Sequence, residues 1–177
     1  MGATKRIYSN TMYLGIAEVV SKLLQFILML YAARILTQDM FGKFSFAISI
    51  SVIAVILSDL GINFMLVREV SRNRKKANTY FINAFLIKIV FSTITFFLII
   101  IFLNLLDYPP DTKGIVYLIW IFTILSNFTE LFYSIFRAFE KMIYDGFLKI
   151  MRMVLLSSSG LYVLFKGYNI FMLGAAF

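Results

Sequence analysis

Five long apolar stretches, each interrupted by a few polar residues at helical spacing, dominate the chain. They cover approximately 13–35, 44–67, 80–106, 114–137 and 144–165, and a sixth apolar run begins near 170. Each complete stretch meets the requirement of about 20 mostly apolar residues for a bilayer-spanning helix. The first, YLGIAEVVSKLLQFILMLYAARI, holds Glu18, Lys22 and Gln25 on one face, with Thr11 two turns before Glu18. The second carries Ser45, Ser49, Asp59 and Asn63, and the third Lys88, Ser92 and Thr95. The fourth has the longest stripe, Thr123, Asn127, Glu130, Ser134 and Arg137, continuing to Lys141. The fifth carries Lys149, Arg152 and Ser159. Short polar or breaking segments separate them: Arg34 to Gly42, the charged run Arg68 to Lys76, the loop at Pro109-Pro110, and the turn Phe139 to Ile143. A charge at the bilayer centre costs roughly 2.5–3.5 kcal/mol on insertion scales, so these stripes must face protein or water. The pattern predicts an all-α, polytopic transmembrane bundle of five complete spans and the start of a sixth.

Composition agrees. Of 177 residues, 61% are hydrophobic and 20 are Phe, and the mean hydropathy is +0.88; soluble domains are nearer half apolar. The net charge of +8 would suit nucleic acid, but the basic residues cluster at span ends and short loops, as a topology signal does. Lys5, Arg6, Arg68, Arg72, Arg74, Lys75, Lys76, Arg137 and Lys141 fall on one side. Arg34, Lys43, Lys113 and Lys166 fall on the other, diluted by Asp39, Asp107 and Asp111. The positive-inside rule places the N-terminus in the cytoplasm. No cysteine or histidine is present, which excludes a disulfide framework, the usual zinc sites and histidine-based catalysis. The N-terminal apolar run is too long and too charged for a cleavable signal, and Arg6 breaks a myristoylation pattern. The Asn127-Phe128-Thr129 sequon lies inside a span. Ile170 to Phe177 is too short to cross, so a truncated sixth span is expected, the alternative being a short C-terminal interfacial segment, with residues 1–177 forming one helical lobe.

If the stripes converge, they line a shared, net-basic cavity suited to an anionic phosphate or pyrophosphate headgroup. Lys22, Lys88, Arg137 and Arg152, with Gln25 and Asn127, are the candidate substrate-binding residues, and Lys149 belongs to the same set of inward charges. Glu18, Asp59 and Glu130 are candidates for tuning those bases or coupling to a cation. The competing reading is structural. Glu18 pairs with Lys22 along its helix, Glu130 with Arg137 or a neighbouring span, and Asp59 with Arg68 or Arg72. Arg137, Lys141 and Lys149 then reach the cytoplasmic interface. No catalytic residue, metal site or cofactor is expected, because no glycine-rich phosphate loop or paired-acid constellation occurs and the loops are short.

Several segments carry a family resemblance. They are Asn10-Thr11-Met12-Tyr13-Leu14-Gly15, Ser21-Lys22-Leu23-Leu24, Ala33-Arg34-Ile35-Leu36, Phe41-Gly42-Lys43-Phe44-Ser45-Phe46-Ala47, Ser58-Asp59-Leu60-Gly61-Ile62 and Arg68-Glu69-Val70-Ser71-Arg72. Together they resemble polysaccharide biosynthesis and export proteins, the O-antigen-flippase-like members of the multidrug/oligosaccharidyl-lipid/polysaccharide exporter superfamily. The resemblance is dense from Asn10 to Arg72 and rests on span spacing afterwards. Thr37-Gln38 stands where the family pattern has Gly-Pro. The resemblance implies two six-helix lobes around a central cavity, with this chain as the N-terminal lobe. It also implies alternating-access movement of polyprenyl-pyrophosphate-linked saccharide from the inner to the outer leaflet of the plasma membrane. A cavity base required in related peptidoglycan-lipid flippases maps onto Lys22.

The expected function is therefore a lipid-linked oligosaccharide flippase and not an enzyme. Its expected partners are the bilayer, the lipid-linked saccharide, a C-terminal lobe, and a polysaccharide polymerase with glycosyltransferases; nucleic acid is not among them. The alternatives are a multidrug or cation antiporter of the same superfamily, a non-transporting membrane scaffold, and a membrane transferase acting on polyprenyl phosphate.

Overall fold

The computed structural model describes the backbone of residues 3–166 and the side chains of 11–166. The elements are α1 (Ala3–Ile35), α2 (Gln38–Asp59), α3 (Ile62–Arg72), α4 (Ala77–Leu105), α5 (Pro110–Ala138) and α6 (Met142–Phe165), with a 3-10 turn at Arg74–Lys76. No strand occurs among the described residues. Five spans among them are long and apolar enough to cross a membrane: Thr11–Ile35, Gln38–Arg72, Arg74–Leu105, Pro110–Ala138 and Met142–Phe165. The chain is an all-helical, multi-pass membrane protein. The expected start of a sixth span, 170–177, lies outside the described residues.

Two span boundaries move for local reasons. The Thr37 hydroxyl accepts a bond from the Met40 N–H at 3.4 Å, and Asp39 sits in the first turn of α2. That N-cap starts the helix before Phe44, so the expected turn at Phe41-Gly42 is helical. Pro110 opens α5 four residues ahead of Gly114, because a proline at the first helical position lacks only an N–H that would be unpaired anyway.

The second span is not one helix. Leu60 (φ 40°) and Gly61 (φ 84°) are consecutive left-handed residues that end α2 and begin α3. Gly61 adopts this conformation without a Cβ penalty, whereas Leu60 does not. The expected continuous span over 44–67 is therefore corrected to a broken one.

The interior is more polar than the perimeter. Phe26, Ile53, Leu98, Leu125 and Leu155 are exposed on the outside, where lipid covers them. The buried face of α4 reads Ala84, Lys88, Ser92, Thr95, Ile99 and Leu103, a helical repeat of four and three. That of α2 reads Phe44, Ala47, Ser51, Ala54 and Ser58. Ser45 and Ser49, expected to share a face with Asp59, lie elsewhere: the exposed Ser49 hydroxyl donates to its own helix at the Ser45 carbonyl (2.9 Å). Lipid is as apolar as leucine, so such helices associate through close packing and hydrogen bonds.

Two groups of helices result. The helices α1 and α6 run parallel and pack through small residues. A Cβ added to Gly146 would lie 3.3 Å from the Ala17 Cβ, and one on Gly160 would lie 2.9 Å from Leu28 Cδ1. The other group is α2, α3, α4 and α5, with α5 at its centre and Phe44, Leu103, Ile115, Ile119 and Trp120 in its core. Leu28, Ala32 and Leu164 join the C-terminal ends of α1 and α6 to that core. Toward their N-terminal halves the two groups meet thinly, and a cavity opens between them.

Candidate functional site

The cavity has a volume of about 340 Å³. Its α1 wall is Glu18, Ser21, Lys22 and Gln25, two turns of a single face. From α6 come Lys149, Arg152, Met153 and Leu156, and from α5 Ile119, Thr123, Ser126 and Glu130. Ile48 and Val52 of α2 close the remaining side. Three bases and two carboxylates thus share one space between helices. Lys22 lies eleven residues into its span from Thr11, about 16 Å along the axis at 1.5 Å per residue, which is near mid-depth.

Ion pairing in and beside this space is unequal. Arg137 bonds Asp145 through Nε (2.5 Å) and Glu130 through a terminal nitrogen (3.0 Å). Lys149 lies 3.9 Å from the other oxygen of Glu130 and 3.6 Å from Glu18. Charges therefore alternate along Asp145, Arg137, Glu130, Lys149 and Glu18, and each carboxylate has a cation beside it. Lys22 and Arg152 stand outside this ladder: neither forms an ion pair among the described residues. Arg152 Nε is buried with no hydrogen-bond partner, and so is the hydroxyl of Ser21. Unpaired donors on a basic cavity wall suit a multiply charged oxyanion, which accepts several charge-assisted bonds at once.

Among the sequence-derived candidates, the cavity gathers Lys22, Gln25, Arg152, Glu18 and Glu130. It does not gather Lys88, Asp59, Asn127 or Arg137. Lys88 is fully buried and donates to Asp59 Oδ1 (2.8 Å), Asn63 Oδ1 (3.2 Å) and the Asn127 carbonyl (2.9 Å). An ammonium has three N–H donors, and all three are used. Asn127 is further held by its Nδ2 donating to the Ser58 hydroxyl at 3.1 Å. Asn63 Nδ2 also donates to Asp59 Oδ1 at 2.6 Å, so the cluster stitches α2 to α3 across the Leu60-Gly61 break. Asp59 bonds Lys88 and not the expected Arg68 or Arg72. Arg137 is a bracket between α5 and α6.

Two of the expected structural pairings change as well. Glu18 pairs with Lys149 across helices, not with Lys22 along its own. Lys149 faces the cavity and does not run to the interface. Ser21 and Ser126 join the lining without having been singled out, although Ser21 sits beside Lys22 and four residues before Gln25. Asp145 was also missed. It is fully buried, but in sequence it reads as an ordinary acidic residue in a helix's first turn.

No three or more acidic residues converge to hold a metal among the described residues. No curated protein and no solved structure matches the chain. The likeness carried by the motifs between Asn10 and Arg72 nonetheless extends across almost the whole sequence: residues 7–177 match the family described as polysaccharide biosynthesis protein, and the chain belongs to that family.

Proposed function

We propose that the protein carries a lipid-linked polysaccharide precursor, an oligosaccharide on polyprenyl pyrophosphate, from the inner to the outer leaflet of the plasma membrane. It acts as a transporter and not as an enzyme. The observation behind this reading is the pair Lys22 and Arg152, two cations that line one cavity inside the membrane span and form no ion pair among the described residues. The pyrophosphate supplies the missing counter-charge, with the Arg152 guanidinium suited to two-point contact and Lys22 to a point charge. Gln25, Ser21 and Ser126 offer neutral hydrogen bonds beside them. A space of about 340 Å³ takes a charged headgroup and not an oligosaccharide chain, so the sugars extend past the cavity mouth. A second helical lobe completes the enclosure there, and polymerase and glycosyltransferases act before and after it. Membership of a polysaccharide biosynthesis family supports the substrate class. A cation exporter would need available carboxylates, whereas Glu18 and Glu130 already have Lys149 and Arg137 beside them.

Reconstituted vesicles test the reading. Lys22→Gln and Arg152→Gln should each lower the flipping of a fluorescent polyprenyl-pyrophosphate saccharide by roughly tenfold to a hundredfold, the range for one hydrogen bond to a charged group. Arg152→Lys should fall between. Wild-type rates in both neutral variants would remove these residues from the site.

A further inference from the structure

A second lipid-facing feature lies on the opposite side of α5 from the cavity. Ala77, Asn78 and Phe81 of α4 and Phe132, Ile135 and Phe136 of α5 line a groove of about 410 Å³. Phe132 follows Glu130 by two residues, or about 200° around the helix, so the groove and the cavity occupy different faces. Its walls are almost wholly apolar, and the exposed ring of Phe132 stacks at a tilt on Phe81 with centroids 5.2 Å apart. The basic run ends where the groove begins: Lys76 immediately precedes Ala77. Arg74 is occupied, with Glu140 at 3.5 Å and the Phe139 ring at 5.4 Å. Arg72, Lys75 and Lys76 are exposed and form no ion pair among the described residues.

We infer that this groove and basic rim form a resident site for an anionic phospholipid of the cytoplasmic leaflet. An acyl chain fills the groove between Phe81 and Phe132, and the headgroup phosphate rests among Arg72, Lys75 and Lys76. Charge complementarity selects the headgroup, because clustered cations just outside a span attract anionic lipid. Separation from the cavity marks the occupant as a membrane lipid and not the transported cargo. A topology signal alone requires basic residues on the inner side; it does not require an apolar slot that begins at the next residue.

The test is lipid retention by the purified full chain in detergent, read by native mass spectrometry with phosphatidylglycerol or phosphatidylcholine added. The wild type should retain phosphatidylglycerol on the order of a hundredfold better, from three cations near one headgroup. That preference should shrink as salt rises, since exposed charges are screened. The combined variant Arg72→Gln/Lys75→Gln/Lys76→Gln should lose the preference. Asn78→Trp, which fills the groove, should lower retention of both lipids while circular dichroism and melting remain unchanged. Equal retention of the two lipids by the wild type, or a preference that survives the triple substitution, would overturn the proposal. So would competition by inorganic phosphate as effective as that by phosphatidylglycerol, or a lipid-linked pyrophosphate that binds there and is then flipped. Salt dependence is measured on the wild type, so the proposal stays testable if a variant fails to fold.

Discussion

Lys88 and Lys22 are both lysines inside apolar helices, and their neighbours give them opposite tasks. Lys88 has every donor filled and no exposed surface, whereas Lys22 borders a cavity with no counter-ion among the described residues. Removing Lys88 alone leaves the half-buried Asp59 with Asn63 as a hydrogen-bond donor but without its counter-charge, and breaking such a pair costs about 3–5 kcal/mol. Lys88→Met should therefore lower unfolding stability by that amount in detergent, while Lys88→Met combined with Asp59→Leu should recover at least half of it. A double substitution as damaging as the single one would show that the pair is not the unit of stability. Arg137→Gln should behave like Lys88→Met, because the fully buried Asp145 loses its only hydrogen-bonding partner among the described residues. Lys22→Gln, by contrast, should leave the melting temperature within about 2 °C, the scale of a surface substitution. Sequence placed both lysines on polar stripes of their helices; Lys88 is buried, and Lys22 is exposed at the edge of the cavity. Sequence could not tell them apart, because helical spacing fixes where a side chain points and not what meets it.

At the scale of elements, the break in the second span is the main departure from the sequence pattern. Ser58, Asp59 and Asn63 flank Leu60-Gly61 but read as one polar helical stripe, and glycine within an apolar span is commonplace. Only the cluster of Asp59, Asn63 and Lys88, assembled from two separate spans, shows how the interruption is held together. Gly61→Ala would force an L-residue into a left-handed conformation, although nothing lies within 4 Å of the new Cβ. The expected loss is about 1–2 kcal/mol, from backbone strain and not from a clash. Unchanged stability in chemical unfolding would mean that the chain can close this break into a continuous helix. The other spans were legible because bilayer thickness sets their length, and their polar loops mark the ends. Boundaries shifted where a specific cap, Thr37 or Pro110, began a helix early.

For the whole molecule, the decisive feature is that the α1–α6 pair and the α2–α5 group close on each other at one end and leave a cavity between them toward the other, where Arg137 brackets α5 to α6. Polar residues of α1, α5 and α6 meet in that gap, while Asp59 of α2 and Lys88 of α4 are tied into internal bonds away from it. Sequence could not forecast the division. The partner of α1 is α6, more than a hundred residues later and parallel to it, and small residues such as Gly146 and Gly160 mark the contact only once both helices are placed. Gly146→Leu should push α6 against the Tyr13 carbonyl, 3.4 Å from an added Cβ, at a cost of roughly 1–3 kcal/mol. It should also displace Lys149 and Arg152 from α1, so that flipping falls further than stability does. A variant of normal activity would indicate that the cavity does not depend on this contact.

A water-filled, anion-attracting cavity between the two helix groups is directly measurable, because the sequence has no native cysteine. Single cysteines at Ser21, Gln25 and Ser126, facing the cavity, and at Phe26, Leu125 and Val154, facing lipid, would be exposed to a membrane-impermeant, negatively charged thiol reagent in reconstituted vesicles. The first three should label rapidly and the last three not at all, with the cavity rates falling several-fold in the Lys22→Gln/Arg152→Gln background. Equal labelling of both sets, silence at all three cavity positions, or rates indifferent to the two charges would contradict it.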